Sequence, residues 1–347
     1  MKRKILVTLL AFCLIASLCV VGAAAADGVE CTEPECSHVA EVGGLHYTSV
    51  ADAISDAGAG ETITLINSVN EDVVIPAEKN VVLDLAGQRL TNTTDHTIVN
   101  YGTLAIEDSV GTGVVDVITH GKAALYNNGT ITVISGGMFT RSKETVDPVQ
   151  SGTQENSWYT VVNSGTINEI KDGIFTTGDG TPATLGNRSS VIVNRTGTIN
   201  SITGGTFLGA ANVIKNEGQS KIGTISGGTF TMNNTVNHFW GGNNIIQNYG
   251  TIEAIVGGSI NAIGSSDDGY LEAGIGGATA RYGISNLSYK SYIGRIENIG
   301  GNVEVKVAGN STALFVNGGS INVTGGSYEV TSPVPGDTNT FLAAAIK

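Results

Sequence analysis

A short string recurs down this chain, and the recurrence restricts the fold to a stack of similar turns. A V-x-N segment is followed by G-T-I, and an apolar residue then leads into G-G-x-F. The first half stands at 97–103, 125–130, 161–166, 191–198, 213–218, 245–251, 283–287 and 314–320. Its asparagines are Asn100, Asn127, Asn163, Asn194, Asn216, Asn248, Asn286 and Asn317. The second half ends in Phe139, Phe175, Phe207 and Phe230, and continues with Ile260, Val303 and Tyr328 at the same place. Successive asparagines lie 22 to 38 residues apart, but the excess sits in four polar insertions at 141–158, 178–187, 233–242 and 264–281. Without them the unit is about twenty residues, enough for three short strands and three corners but too short for a strand and a helix in every repeat.

Helix-free units with three strands stack as a parallel β-helix, each strand pairing with its equivalents one turn above and below. Identical inward positions then form continuous ladders. Phe139, Phe175, Phe207 and Phe230 are expected to form one aromatic stack, worth more than the area it buries. The recurrent glycines supply positive φ or close backbone approach at the corners. One asparagine per turn, expected in the left-handed region at a corner, can hydrogen-bond the asparagines above and below and satisfy a buried amide. All eight asparagines are therefore read as structural, not catalytic.

Composition agrees with an all-β solenoid. Glycine numbers 48 in 347 residues, about twice its usual share of roughly 7%. Only 14% of residues are charged and 41% are hydrophobic, which disfavours both a helical bundle and a disordered acidic tail. A net charge of −13 argues against binding to a phosphate backbone, so nucleic acid is not an expected partner.

The N-terminus reads as an export signal over residues 1–26. Lys2, Arg3 and Lys4 precede an apolar run, and Ala23 to Ala26 offer a small-residue cleavage site. The run is short for a membrane span, and no second one follows, so the processed chain is expected to be secreted or held at the cell surface without crossing the membrane. Residues 27–46 form an N-terminal segment with Cys31 and Cys36, spaced C-x4-C. An oxidising compartment favours a local disulfide between them; His38 and His46 are near, but the spacing fits no zinc motif. A single β-helix domain is assigned to 47–347. Its cap is a helix near 49–57, where Val50, Ala53, Ile54 and Ala57 share one face and Ser49 with Asp52 fits an S-x-x-D capping box.

The cap, the G-E-T-I-T-L run at 60–65 and the stacked G-T-I and G-G-x-F turns resemble the right-handed parallel β-helices of the pectate-lyase-like class. Within that class the chain is most similar to exported, adhesin-like bacterial surface proteins. The resemblance implies a non-catalytic extracellular β-helix that contacts glycans or other envelope and host surface components. The same solenoid also carries polysaccharide lyases and glycoside hydrolases, which is the alternative. Those enzymes need clustered carboxylates, yet Asp267-Asp268 is the only adjacent aspartate pair and lies in a Ser/Gly-rich insertion. No G-x-S-x-G, H-E-x-x-H, P-loop or calcium-loop motif is present, so no catalytic residue, metal or cofactor is expected.

The four insertions all follow the G-G-x-F strand and precede the V-x-N strand, so they are expected to project from one side as a ridge. Two carry aromatic clusters, Trp158 with Tyr159, and His238, Phe239 and Trp240. Such rings suit stacking on sugars; each can equally fold back to shield a strand end.

Overall fold

The computed structural model describes residues 37–119, 121–142, 159–178, 190–209, 212–233, 243–263, 281–289, 291–308, 311–331 and 344–346. The export signal and the Cys31–Cys36 pair lie outside these residues. The chain forms a parallel β-helix with three strand columns. The asparagine face runs from Val73–Ile75 through Ile98–Asn100, Leu125–Asn127, Val161–Asn163, Ile192–Asn194 and Ile214–Asn216 to Ser311–Asn317 and Ala344–Ile346. Neighbouring strands pair in parallel throughout, asparagine opposite asparagine from Asn100 to Asn286. The isoleucine face runs from Glu61–Leu65 to Ser320–Val323, and the phenylalanine face from Val69–Asn70 to Ser327–Thr331. In two turns one 11-residue strand, Thr130–Thr140 or Thr166–Thr176, spans both faces.

The three faces enclose a narrow core made of ladders. Leu104, Ile131, Ile167, Ile199, Ile222 and Ile252 pair in register, and each is fully buried. Phe139, Phe175, Phe207 and Phe230 stack with ring centroids 5.0, 4.9 and 4.7 Å apart and planes within 8° of parallel. Above them the same register continues in Ile260, Val305 and Tyr328, so Val305 takes the slot that the sequence pattern gave to Val303, and below in Val115, Leu90 and Val69. Every turn thus buries its apolar edge only against its neighbours, at about 25 cal/mol per Å² of apolar surface.

The buried amides form a chain. Asn100 Nδ2 donates to Asn127 Oδ1 at 2.8 Å, and the pattern repeats from Asn127 to Asn163, Asn194, Asn216, Asn248 and Asn286 at 2.7–2.9 Å. Two expectations are corrected here. These asparagines are not left-handed: they end extended strands, and among the described residues Ala86 is the only non-glycine at positive φ. Asn317 also stands outside the ladder. Asn286 pairs with Val316, which leaves Asn317 one residue further along, opposite Leu287 and exposed. The Asn286 amide ends the ladder on the carbonyls of Gly294, Gly318 and Ser320.

Glycine is required where turns come closest. A Cβ at Gly165 would lie 2.1 Å from the Gly129 carbonyl oxygen of the turn below. At Gly205, φ is +92°, and a Cβ would crowd the Gly173 oxygen and the Phe207 ring.

A cap closes the N-terminal end. The helix Val50–Asp56 buries Val50, Ala53 and Ile54, and Ser49 Oγ accepts the Asp52 N–H at 3.0 Å while donating to its carboxylate at 2.6 Å. Glu71, twenty residues on, takes the first-turn N–H groups of Val50 and Ala51, each at 2.8 Å. The sequence reading left residues 27–46 as a separate segment, but an antiparallel hairpin, Ala40–Val42 with Leu45–Tyr47, turns at Gly43-Gly44 and pairs with Glu61–Leu65. Both turn glycines have positive φ, as a two-residue hairpin turn demands.

A candidate binding groove on the asparagine face

On the asparagine face the ladder residue points inward, so the residue before it and the residue after it point out. The preceding positions, in register, are Val99, Tyr126, Val162, Val193, Lys215 and Gln247. The following positions are Tyr101, Asn128, Ser164, Arg195, Glu217 and Tyr249. Each donates its backbone N–H to the ladder strand one turn below: Arg195 to Asn163 O at 2.8 Å, Glu217 to Asn194 O at 2.9 Å and Tyr249 to Asn216 O at 2.8 Å. Arg195, Glu217 and Tyr249 are therefore stacked on three successive turns, with Lys215 beside Glu217.

These side chains form one charged cluster. The Glu217 carboxylate lies between Lys215 Nζ at 3.1 Å and Arg195 Nε at 3.5 Å. The Arg195 guanidinium stands 5.4 Å from the centroid of the Tyr159 ring, a cation–π arrangement. Burial works against the Lys215 ammonium, yet Tyr159, Glu217 and Tyr249 outweigh it and hold its pKa above the ordinary lysine value. Lys215 is thus a retained cation.

The far wall comes from a hairpin in which Tyr289 pairs with Tyr292 and Ser288 with Ile293. The Tyr292 ring lies on Gly218, where a Cβ would fall 2.1 Å from its Cγ, and Gln219 Nε2 donates to Tyr292 Oη at 3.3 Å. Together Arg195, Thr196, Lys215, Glu217, Gly218, Gln219, Tyr249 and Tyr292 line a groove of about 450 Å³. Its two cations and one carboxylate carry a formal charge of +1, against −13 for the whole chain.

Of the residues singled out from the sequence as binding candidates, Tyr159 reaches this cluster. Trp158, His238, Phe239 and Trp240 lie outside the described residues, as do most of the four insertions. The described strands that flank those insertions leave the phenylalanine face and enter the asparagine face in every case. The ladder asparagines and stacked phenylalanines are fully buried from Asn100 to Asn286 and from Phe139 to Phe230, out of reach of a ligand. Sequence reasoning missed Arg195, Lys215, Glu217, Tyr249 and Tyr292. A readable signal existed for three of them, because the residue after each ladder asparagine is outward by register.

Among the described residues Glu217 is the one carboxylate lining the groove, whereas glycoside hydrolysis works with a pair. Among the described residues no group of three or more His, Cys, Asp or Glu is placed to hold a metal ion, and no helix is long and apolar enough to cross a membrane. His96, two residues before the strand Ile98–Asn100, stacks on Tyr126 at 4.5 Å and accepts the Ala123 N–H on Nδ1 at 2.8 Å. Burial lowers its pKa, so it packs as a neutral ring. No family model, no curated protein and no solved structure matches this chain.

Proposed function

We propose that this chain is an exported, adhesin-like β-helix that contacts saccharide chains at a surface without cleaving them. The observation that carries the reading is the groove. Tyr249 and Tyr292 offer aromatic surface beside Arg195, Lys215, Glu217 and Gln219, on the outside of a stack held rigid by the asparagine and phenylalanine ladders. Sugars present alternating C–H faces and hydroxyl edges, and flat rings flanked by fixed hydrogen-bonding groups match both. The export signal read from the sequence and the early cysteine pair support an extracellular setting.

The test is saccharide binding by the purified full chain, compared with Tyr292→Ala and Tyr249→Ala. Each variant should keep its melting temperature, because neither ring belongs to the core ladders. Each should lose roughly two- to tenfold in affinity, the range set by one aromatic contact. Absence of binding across a broad saccharide panel, or binding unchanged in both variants, would remove the reading.

A further inference from the structure

The charges narrow the class of saccharide. A groove of +1 on a chain of −13 is a local reversal of sign, and Lys215 keeps its charge there despite burial. Among the described residues Arg195 forms one ion pair, through Nε, and its Cζ stands 5.4 Å from the centroid of the Tyr159 ring. The planar guanidinium fork can receive a planar carboxylate through two parallel hydrogen bonds. The group now between the two cations is itself a carboxylate, that of Glu217.

We infer that the groove takes a carboxylate-bearing saccharide, a chain containing uronate sugars, and that Glu217 occupies the ligand carboxylate's place in the free protein. This rests on the saccharide reading above. On binding, the ligand's carboxylate engages Arg195 and Lys215, the Glu217 carboxylate swings toward solvent, and the sugar rings lie along Tyr249 and Tyr292. Glu217 is then a positioning residue with a cost. It keeps the two cations in place when the groove is empty and competes with the ligand for them. A sulfated sugar would offer the same charge on a tetrahedral group; the carboxylate is favoured because one, that of Glu217, already sits between the two cations.

The experiment is calorimetric titration of the full chain with three probes: a hyaluronan hexasaccharide, neutral chitohexaose and a sulfated galactan oligosaccharide. Hyaluronan should bind roughly tenfold or more tighter than chitohexaose and lose that preference as salt is raised. Arg195→Gln should abolish the preference; Arg195→Lys, which keeps the charge but not the fork, should weaken it and guards against misfolding in the first variant. Glu217→Gln should tighten hyaluronan binding several-fold and shift chitohexaose binding far less, an outcome a purely structural Glu217 would not give. Equal binding of hyaluronan and chitohexaose overturns the inference and leaves the saccharide reading standing. Binding of none of the three overturns the inference, and the broad saccharide panel then decides the saccharide reading. Tighter binding of the sulfated probe, or weaker hyaluronan binding by Glu217→Gln, overturns the carboxylate assignment or the place-holding role respectively.

Discussion

Asn163→Asp exchanges one NH2 group for oxygen in the middle of the amide ladder and tests whether the ladder is held by directed hydrogen bonds. Asn163 Nδ2 donates to Asn194 Oδ1 at 2.8 Å and to Thr198 O at 3.2 Å, while its Oδ1 accepts from Asn127 Nδ2 at 2.7 Å. The residue is fully buried. An ionised aspartate would turn two donor contacts into oxygen–oxygen contacts and bury a charge, so its folded-state pKa must rise above the ordinary value of about 3.9. Once protonated, it can donate one of the two lost bonds, leaving a deficit of about 1 kcal/mol. At pH 7 the cost of removing that proton adds to this, for a total of about 3–5 kcal/mol. A folded pKa above the unfolded one means that the native variant binds more protons. Its stability relative to the parent therefore increases as pH falls through the folded value and levels off below about 4. Urea unfolding of parent, Asn163→Asp and Asn163→Ala at pH 7, 6, 5 and 4 measures the difference. The alanine variant should show a deficit that does not change with pH. If Asn163→Asp matches the parent at pH 7, or carries a deficit as flat as that of alanine, the ladder is packing without directed bonding.

Two further outcomes are expected. Phe207→Ala removes a ring stacked 4.9 Å from Phe175 and 4.7 Å from Phe230, and should cost about 3–5 kcal/mol in urea unfolding; a loss under about 1 kcal/mol would show that the stack relaxes freely. At Asp72, burial opposes ionisation, but hydrogen bonds from the Thr93 hydroxyl and the N–H groups of Thr93, Thr94 and Asp95 outweigh it and hold the carboxyl at about 2. Its contribution is present above the unfolded value of about 3.9 and lost as pH falls through about 2, so Asp72→Asn should be destabilising at pH 6 and nearly neutral at pH 2. A deficit of the same size at both pH values would contradict the hydrogen-bonding account.

The repeat made the architecture legible because a solenoid writes the same physical requirement once per turn. Valine or isoleucine before the asparagine, isoleucine after G-T and phenylalanine after G-G each mark an inward position, and each recurs. What occurs once was harder to see. The Gly43-Gly44 hairpin lies outside the repeat, and Glu71 caps a helix twenty residues before it in a contact no local pattern announces. The groove was illegible for a related reason. Outward residues need not repeat, so Arg195, Glu217 and Tyr249 look unrelated in sequence and are joined only by the register of their turns. Tyr292 arrives from a hairpin more than seventy residues beyond Gly218. Conspicuous tryptophans in long insertions drew attention away from ordinary residues at a corner.

The misplacement of Asn317 shows where pattern and register part. Asn317-Gly318-Gly319-Ser320 repeats the corner spacing of Asn248-Tyr249-Gly250-Thr251, so by sequence it belongs to the ladder. The preceding strand decides otherwise. Three residues, Ile284 to Asn286, take the last rung from core to amide, whereas four, Leu314 to Asn317, are available in the next turn. Pairing starts from the buried apolar residue, Leu314 against Ile284, because slipping it would move that side chain out of the core. Val316 then falls in the asparagine slot, and the Gly318 carbonyl stands in as acceptor for Asn286. Deleting Val316 leaves Leu314-Phe315-Asn317, the arrangement of Leu125-Tyr126-Asn127, and should bring Asn317 under the Asn286 amide. One added buried hydrogen bond, about 1 kcal/mol net, would slow amide exchange in the last turns roughly fivefold. Changing Asn317 to Ala in the deletion background should erase that gain. If the deletion speeds exchange, or slows it equally with alanine at 317, then core pairing alone orders the last turn and the asparagine adds nothing there.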